Sequence, residues 1–361
     1  MSEHGPVMGA SGQPAHAGWA APYGGPPPLP LPDERTFPHP EPTPYHQMLR
    51  TWTYEWWRPV VGILICLIGF FLGAALVYVV VALLAAPFGS GSYLDNFMKS
   101  ADLTKNVSPS MLLGINLGLA SLVLVTWFVI RVLHRMRPRW LSSVRPRIRW
   151  KFFAACLGLA VIALAAQVAV GALVPGNSDA ITGRLNHLTT SLVLSAVVVL
   201  LTTPLQAAGE EYLFRGYLMM AVGSFFPRSR EVLAKWVAIV VTAFIFALAH
   251  GSQNFPLFFD RFAFGLIAAW LVTRTGGLEA GLALHVLNNF LAFGIALAVG
   301  DLTETLSITG ASWWNIALTV TQSGVYTVLV VLVARRMGIE SRTSPPSPQL
   351  QHPAEGQAVT A

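Results

Sequence analysis

Residues 209–216 read GEEYLFRG, and this stretch follows an apolar run, Ser191 to Ala208, of the length a membrane span requires. A charged side chain at bilayer depth is costly unless it is paired or faces water, so two carboxylates and an arginine at that position mark a functional site. On a helix, Glu211 and Arg215 are four residues apart and stack on one face within ion-pair reach. Glu210 then points about 100° away from Glu211. The arginine neutralises one carboxylate and leaves the other free beside it. Such an arrangement suits a site in which one acid is structural and one does chemistry.

The composition sets the class. Of the 361 residues, 54% are hydrophobic and 11% are charged, and the mean hydropathy is +0.57. A soluble domain carries about 25% charged residues. The expected fold is therefore all-α and polytopic, with about eight transmembrane helices. The formal net charge of +6 does not indicate nucleic acid, because eight of the 23 Lys and Arg fall between Arg131 and Lys151, a segment with no acid between two apolar runs. That is the pattern of a cytoplasmic loop under the positive-inside bias. Cys66 and Cys156 both lie inside apolar runs, so neither a disulfide framework nor a thiolate metal site is indicated. Arginine-rich, alanine-rich usage points to a GC-rich bacterial genome.

Residues 1–45 hold 12 of the 25 prolines and read as a disordered Pro/Gly-rich tail without a secretory signal. The segment from Tyr45 to Arg58, with Trp52, Tyr54, Trp56 and Trp57, suits the headgroup layer. Spans are expected at 60–86, 111–133, 152–174, 190–218, 235–251, 256–273, 278–299 and 313–334. This divides the chain into an interfacial segment with three spans (46–189), a four-span core (190–300), a last span (301–340) and a disordered tail (341–361). Arg58, the 131–151 loop, Arg228, Arg230, Lys235, Arg274, Arg335 and Arg336 then share one side, and both termini are cytoplasmic. The opposite loops hold Lys99, Lys105, Arg184 and Arg261 with Asp95, Asp102, Asp179, Asp301 and Glu304. The fifth and sixth spans are read as short, with Asp260 and Arg261 interrupting the second of them.

Three polar constellations lie in apolar surroundings after residue 200: Glu210/Glu211/Arg215; His250, with Phe246 one turn before it; and His285 with Asn289, again four residues apart. By helical rise, Glu210 and His250 both sit about 22 Å from the inner edge, and His285 and Asn289 about 12 to 18 Å. Alone, each has a structural explanation: an ion pair, a hydrogen-bonded helix end, an interhelical clasp. Together they indicate a shared cavity.

EEYLFRG, FxxxH and HxxxN, in this order and spacing, resemble the three motifs of the CPBP family (CAAX protease and bacteriocin-processing, also called Abi). The segment RTGGLEAGLALHVLNN, leading into the third motif, is similar as well. The resemblance covers about residues 190 to 300. It implies an intramembrane glutamic endopeptidase related to the type II CAAX prenyl protease, with a conical active-site cavity between helices. It implies that Glu210 and His250 activate a water, that His285 and Asn289 hydrogen-bond the developing oxyanion, and that Glu211, Arg215 and Phe246 support the site. It implies no cofactor; the alternative is a Zn²⁺ held by Glu210, His250 and His285. No HExxH occurs, which favours the metal-free mechanism. The expected partners are a peptide or membrane-protein substrate and the lipid bilayer, not nucleic acid. A non-catalytic scaffold or bacteriocin-immunity-type protein would not need a free buried carboxylate, and a transporter would show paired interrupted spans in two halves, which are not found.

The charge asymmetry predicts the outcome of reporter fusions. Fusions after Pro146 and after Ser341 read as cytoplasmic and one after Ser307 as external. An external reading after Pro146 would overturn the eight-span arrangement.

Overall fold

The computed structural model describes residues 38–101, 107–174 and 185–344. Among them there are eight helices long and apolar enough to cross a membrane, and no strand. They are α1 (Trp57–Phe88), α2 (Pro109–Val132), α3 (Trp150–Gly171), α4 (Thr190–Ser224), α5 (Arg228–Leu248), α6 (Phe255–Thr275), α7 (Glu279–Ala298) and α8 (Trp314–Arg336). The fifth and sixth are of ordinary length, 21 residues each, and not short as expected. Asp260 and Arg261 do not break α6; they lie inside it. His250 falls in the turn after α5, not within the helix. Apolar side chains point outward along the spans, as on α1 at Leu64, Leu67, Ile68, Phe71 and Leu72. With lipid as solvent no water drives these residues inward, so the interior can take the polar ones.

The interior is organised around α4, which packs against α2, α5 and α7. At 35 residues it exceeds what the hydrocarbon layer needs. Its polar side chains Ser195, Thr202, Thr203, Gln206, Glu210, Glu211 and Arg215 are all buried. Every residue from Gly209 to Ala221 is buried, so the helix is enclosed all round there. Gly209 permits this: a Cβ at that position would lie 2.0 Å from the carbonyl oxygen of Leu119 on α2. The backbone of Tyr212–Leu218 is π-helical, a widened turn that sequence periodicity does not reveal. From it Tyr212 reaches the Ser142 hydroxyl (2.6 Å) and Tyr217 reaches His134 (3.0 Å), both in the basic segment between α2 and α3.

The far end of α4 is covered by residues assigned to a tail. Disorder was expected through residue 45, but His39, Thr43 and Tyr45–Leu49 are buried, and residues 1–37 lie outside the described residues. Tyr45 donates to the carbonyl of Leu141, Gln47 Nε2 to that of Phe226 (3.2 Å), and Tyr54 to that of Ser224 (2.8 Å). The start of the expected C-terminal tail is ordered too. Thr43 and Thr343 exchange hydrogen bonds of 2.9 and 3.0 Å, and Arg342 pairs with Glu231 at 2.5 Å. Residues 345–361 lie outside the described residues.

This packing is sensitive to acid. Burial pushes the His39 and His46 imidazoles down to about 4, from an ordinary 6.5. His39 is buried against Trp140, and His46 beside the start of α5. As pH falls below 6.5 the unfolded chain takes up protons that the folded chain refuses, so stability drops towards pH 4 by on the order of 3 kcal/mol per histidine. Melting in detergent should show a lower Tm at pH 5 than at pH 7.5, with a flatter dependence in the double variant His39→Phe/His46→Gln. A pH-independent wild-type Tm would refute this.

Candidate active site

The two neighbouring carboxylates diverge into different surroundings. Glu211 is fully buried; its Oε1 accepts from Arg215 Nη1 at 2.9 Å and from His285 Nδ1 at 2.8 Å. One oxygen thus joins both residues of a helical pair on α4 to a histidine on α7. The close approach of the helices needs Gly281, where a Cβ would stand 2.8 Å from Glu211 Oε2. Arg215 Nη2 has no hydrogen-bond partner, but the guanidinium lies 4.0 Å from the centre of the Phe246 ring and 5.3 Å from that of Phe264. The cation–π contacts replace hydration on that side.

Glu210 is 7% exposed and turns to a cavity of about 480 Å³. Its Oε1 accepts from Gln206 Nε2, and Gln206 Oε1 accepts from Asn289 Nδ2 at 2.9 Å. A chain of amides therefore runs from α7 through α4 to the carboxylate. Glu210 Oε2 is 3.6 Å from His285 Nε2, outside hydrogen-bond reach. With Nδ1 committed to Glu211, Nε2 is the nitrogen of His285 left for the cavity. His250 is held likewise: Nδ1 donates to the carbonyl of Phe246 at 2.8 Å, leaving Nε2 available. The Phe246 ring lies against His250 (centroids 4.7 Å apart) and His285 (6.0 Å), so one aromatic spaces both imidazoles and the guanidinium.

All seven residues picked out by the motifs meet here. Glu210, His250, His285, Asn289 and Phe246 line the cavity, and Glu211 and Arg215 sit behind it. Asn289 does so with an amide already engaged by Gln206, a residue the motifs do not include. Gln206 stands one turn before Glu210, and that four-residue spacing in an apolar run was the available signal. Asp260 and Arg261, assigned above to the interruption and to a loop, also line the cavity: Asp260 accepts from Thr319, and Arg261 donates to Gln253 at 2.8 Å. Asn116, whose Nδ2 donates to Thr202 at 2.8 Å, was missed as well. No repeat or spacing ties α2 or α8 to the motif helices in sequence.

The cavity lies towards one end of the bundle. Its walls include Leu257 and Asp260 near the start of α6, Thr319 near the start of α8, and Thr305, Leu306 and Ile308 between α7 and α8. The basic segment 131–151 lies at the other end, where Tyr212, Tyr217 and Tyr45 close the interior. Among the described residues, no three His, Cys, Asp or Glu side chains are grouped to hold a metal ion.

No curated protein and no solved structure gives a significant match to the chain. A family model does. It spans α4, α5, α6 and α7 as far as Leu291, and so includes all three motifs. It is over those residues, 190–291, that the chain matches the Rce1-like family of type II CAAX prenyl endopeptidases, the relationship its motifs suggest.

Proposed function

We propose that the chain is an intramembrane endopeptidase of the CPBP/CAAX protease type, hydrolysing a peptide bond with a water activated by Glu210. The observation that carries this reading is the unequal pair of carboxylates: Glu211 is held by Arg215 and His285 through one oxygen and turned away from the cavity, while Glu210 faces a cavity shared with both histidines. Glu210 takes a proton from a water, the hydroxide attacks the carbonyl carbon, and Glu210 passes the proton to the departing amine. His250 steers the water through Nε2. His285, through Nε2, and the second N–H of Asn289 hold the carbonyl oxygen as it becomes an oxyanion. Such a donor contributes about 3 to 4 kcal/mol to the transition state.

On the positive-inside reading of the loop charges, the cavity's end of the bundle is the one outside the cytoplasm. Substrate on this reading reaches Glu210 from the extracytoplasmic side or laterally from the bilayer, as a peptide or membrane-protein segment. Comparing membrane-associated peptides in cells producing the wild type and Glu210→Ala identifies it; indistinguishable peptide populations would sink the endopeptidase reading.

The two carboxylates fail differently. Glu210→Gln can still accept from Gln206, so it keeps its Tm and loses catalysis by about 10² to 10⁴. Glu211→Gln leaves Arg215 without its counter-ion at membrane depth, at a cost of about 3 to 5 kcal/mol, and so lowers both Tm and activity. Glu211→Gln with Arg215→Met recovers part of the Tm but no activity. Melts in detergent beside a cleavage assay decide the matter: an unstable Glu210→Gln with a stable, inactive Glu211→Gln would reverse the assignment.

Chelation separates the two mechanisms. Activity is expected to persist in excess EDTA, and the purified protein to contain no stoichiometric zinc. Activity lost to chelator and restored by Zn²⁺ alone would reinstate the metal mechanism.

A further inference from the structure

A second cavity, of about 530 Å³, lies away from the active site where α3 begins and α8 ends. Its walls are Arg145 and the run from Arg147 to Phe152 on one side and Met337 to Glu340 on the other. These residues flank the ends of two spans, so the pocket sits at headgroup depth. Two of its four cations are already neutralised. Arg149 grips Glu279 through Nη2 (2.6 Å) and Nε (2.8 Å), and Arg145 pairs with Glu340. The other two, Arg147 and Lys151, are exposed and form no ion pair among the described residues. Beside them Trp150 and Met337 are exposed, 70% and 40%.

The wall is pinned in place. Ser143 Oγ donates to the carbonyl of Arg147 (2.8 Å), Val144 N to that of Gly276 (2.7 Å), and Leu278 N to that of Ser142 (2.9 Å). The backbone of this wall is thus ordered before a ligand binds, and the ordering left to binding is that of the exposed side chains.

We propose that this pocket binds the phosphate of an anionic phospholipid headgroup. Arg147 and Lys151 supply charge-assisted donors to the phosphate oxygens, and Trp150 and Met337 lie against the apolar remainder of the lipid. A free phosphate shares the first chemistry but not the second. The pocket also borders the start of α7 through Arg149 and Glu279, six residues before His285. Its occupant therefore braces the helix that carries a candidate catalytic histidine.

The test uses the full chain in neutral detergent, titrated with phosphatidylglycerol, phosphatidylcholine or inorganic phosphate and read by Tm and by native mass spectrometry. Phosphatidylglycerol is expected to raise Tm and to be retained, and the other two to do neither. Near a membrane surface each cation is worth roughly fivefold in affinity. The double variant Arg147→Gln/Lys151→Gln should thus weaken the phosphatidylglycerol effect on the order of twentyfold and leave basal cleavage in detergent unchanged. Arg230→Gln/Lys235→Gln, which removes the same charge elsewhere at that end, should change it less than twofold. Equal losses in both double variants, or equal effects of the two lipids, would overturn the proposal. An effect of inorganic phosphate matching phosphatidylglycerol would overturn the lipid and leave a phosphate site.

Discussion

One oxygen atom of Glu211 holds two helices and three side chains in register. It accepts from Arg215 on its own helix and from His285 on α7, in an interior where none of these groups can fall back on water. A buried ion pair is poor support for stability as such, since desolvation offsets most of the attraction, but removing one partner is severe. The bond therefore acts through specificity: any arrangement that separates α4 from α7 leaves an unpaired buried charge. Gly281 follows from this constraint, because a side chain there would keep α7 too far from Glu211.

The same bond sets the orientation of the imidazole. Donation from His285 Nδ1 to Glu211 leaves Nε2 for the cavity, where Glu210 stands 3.6 Å away. His250 is oriented by a backbone carbonyl and Glu210 by the amide of Gln206, which Asn289 orients in turn. These groups facing the cavity are thus each fixed by a hydrogen-bonded partner within the protein, so their geometry does not depend on an occupant of the cavity. Phe246 adds shape, resting against two imidazoles and a guanidinium at once.

The two ends of the bundle have different tasks. At the basic end, the π-helical turn of α4 sends Tyr212 and Tyr217 into the segment between α2 and α3, and residues 39–54 pack over them. At the other end, short connections border the cavity, and polar residues of α2, α6 and α8 line it. The packed end holds the first half of α7 still, which is a requirement for a site built on that helix.

Much of this was legible in the chain itself. Eight apolar runs separated by a lopsided charge distribution determine the all-helical membrane class, because the backbone must satisfy its own hydrogen bonds in lipid. The four-residue spacings of Glu211 with Arg215 and of His285 with Asn289 place side chains on common helix faces by local geometry alone. Three things were not local. Gln206 looks like an ordinary polar residue until α7 brings Asn289 to it. Asp260 and Arg261 look like a broken span until α8 offers Thr319 and the cavity offers space. The proline-rich start looks unable to fold, yet its last residues bury His39 and Tyr45 against segments about a hundred and more positions away. Sequence determines what each helix must hide, but which helix hides it from water depends on contacts between residues far apart in the chain. Only the tertiary structure decides those.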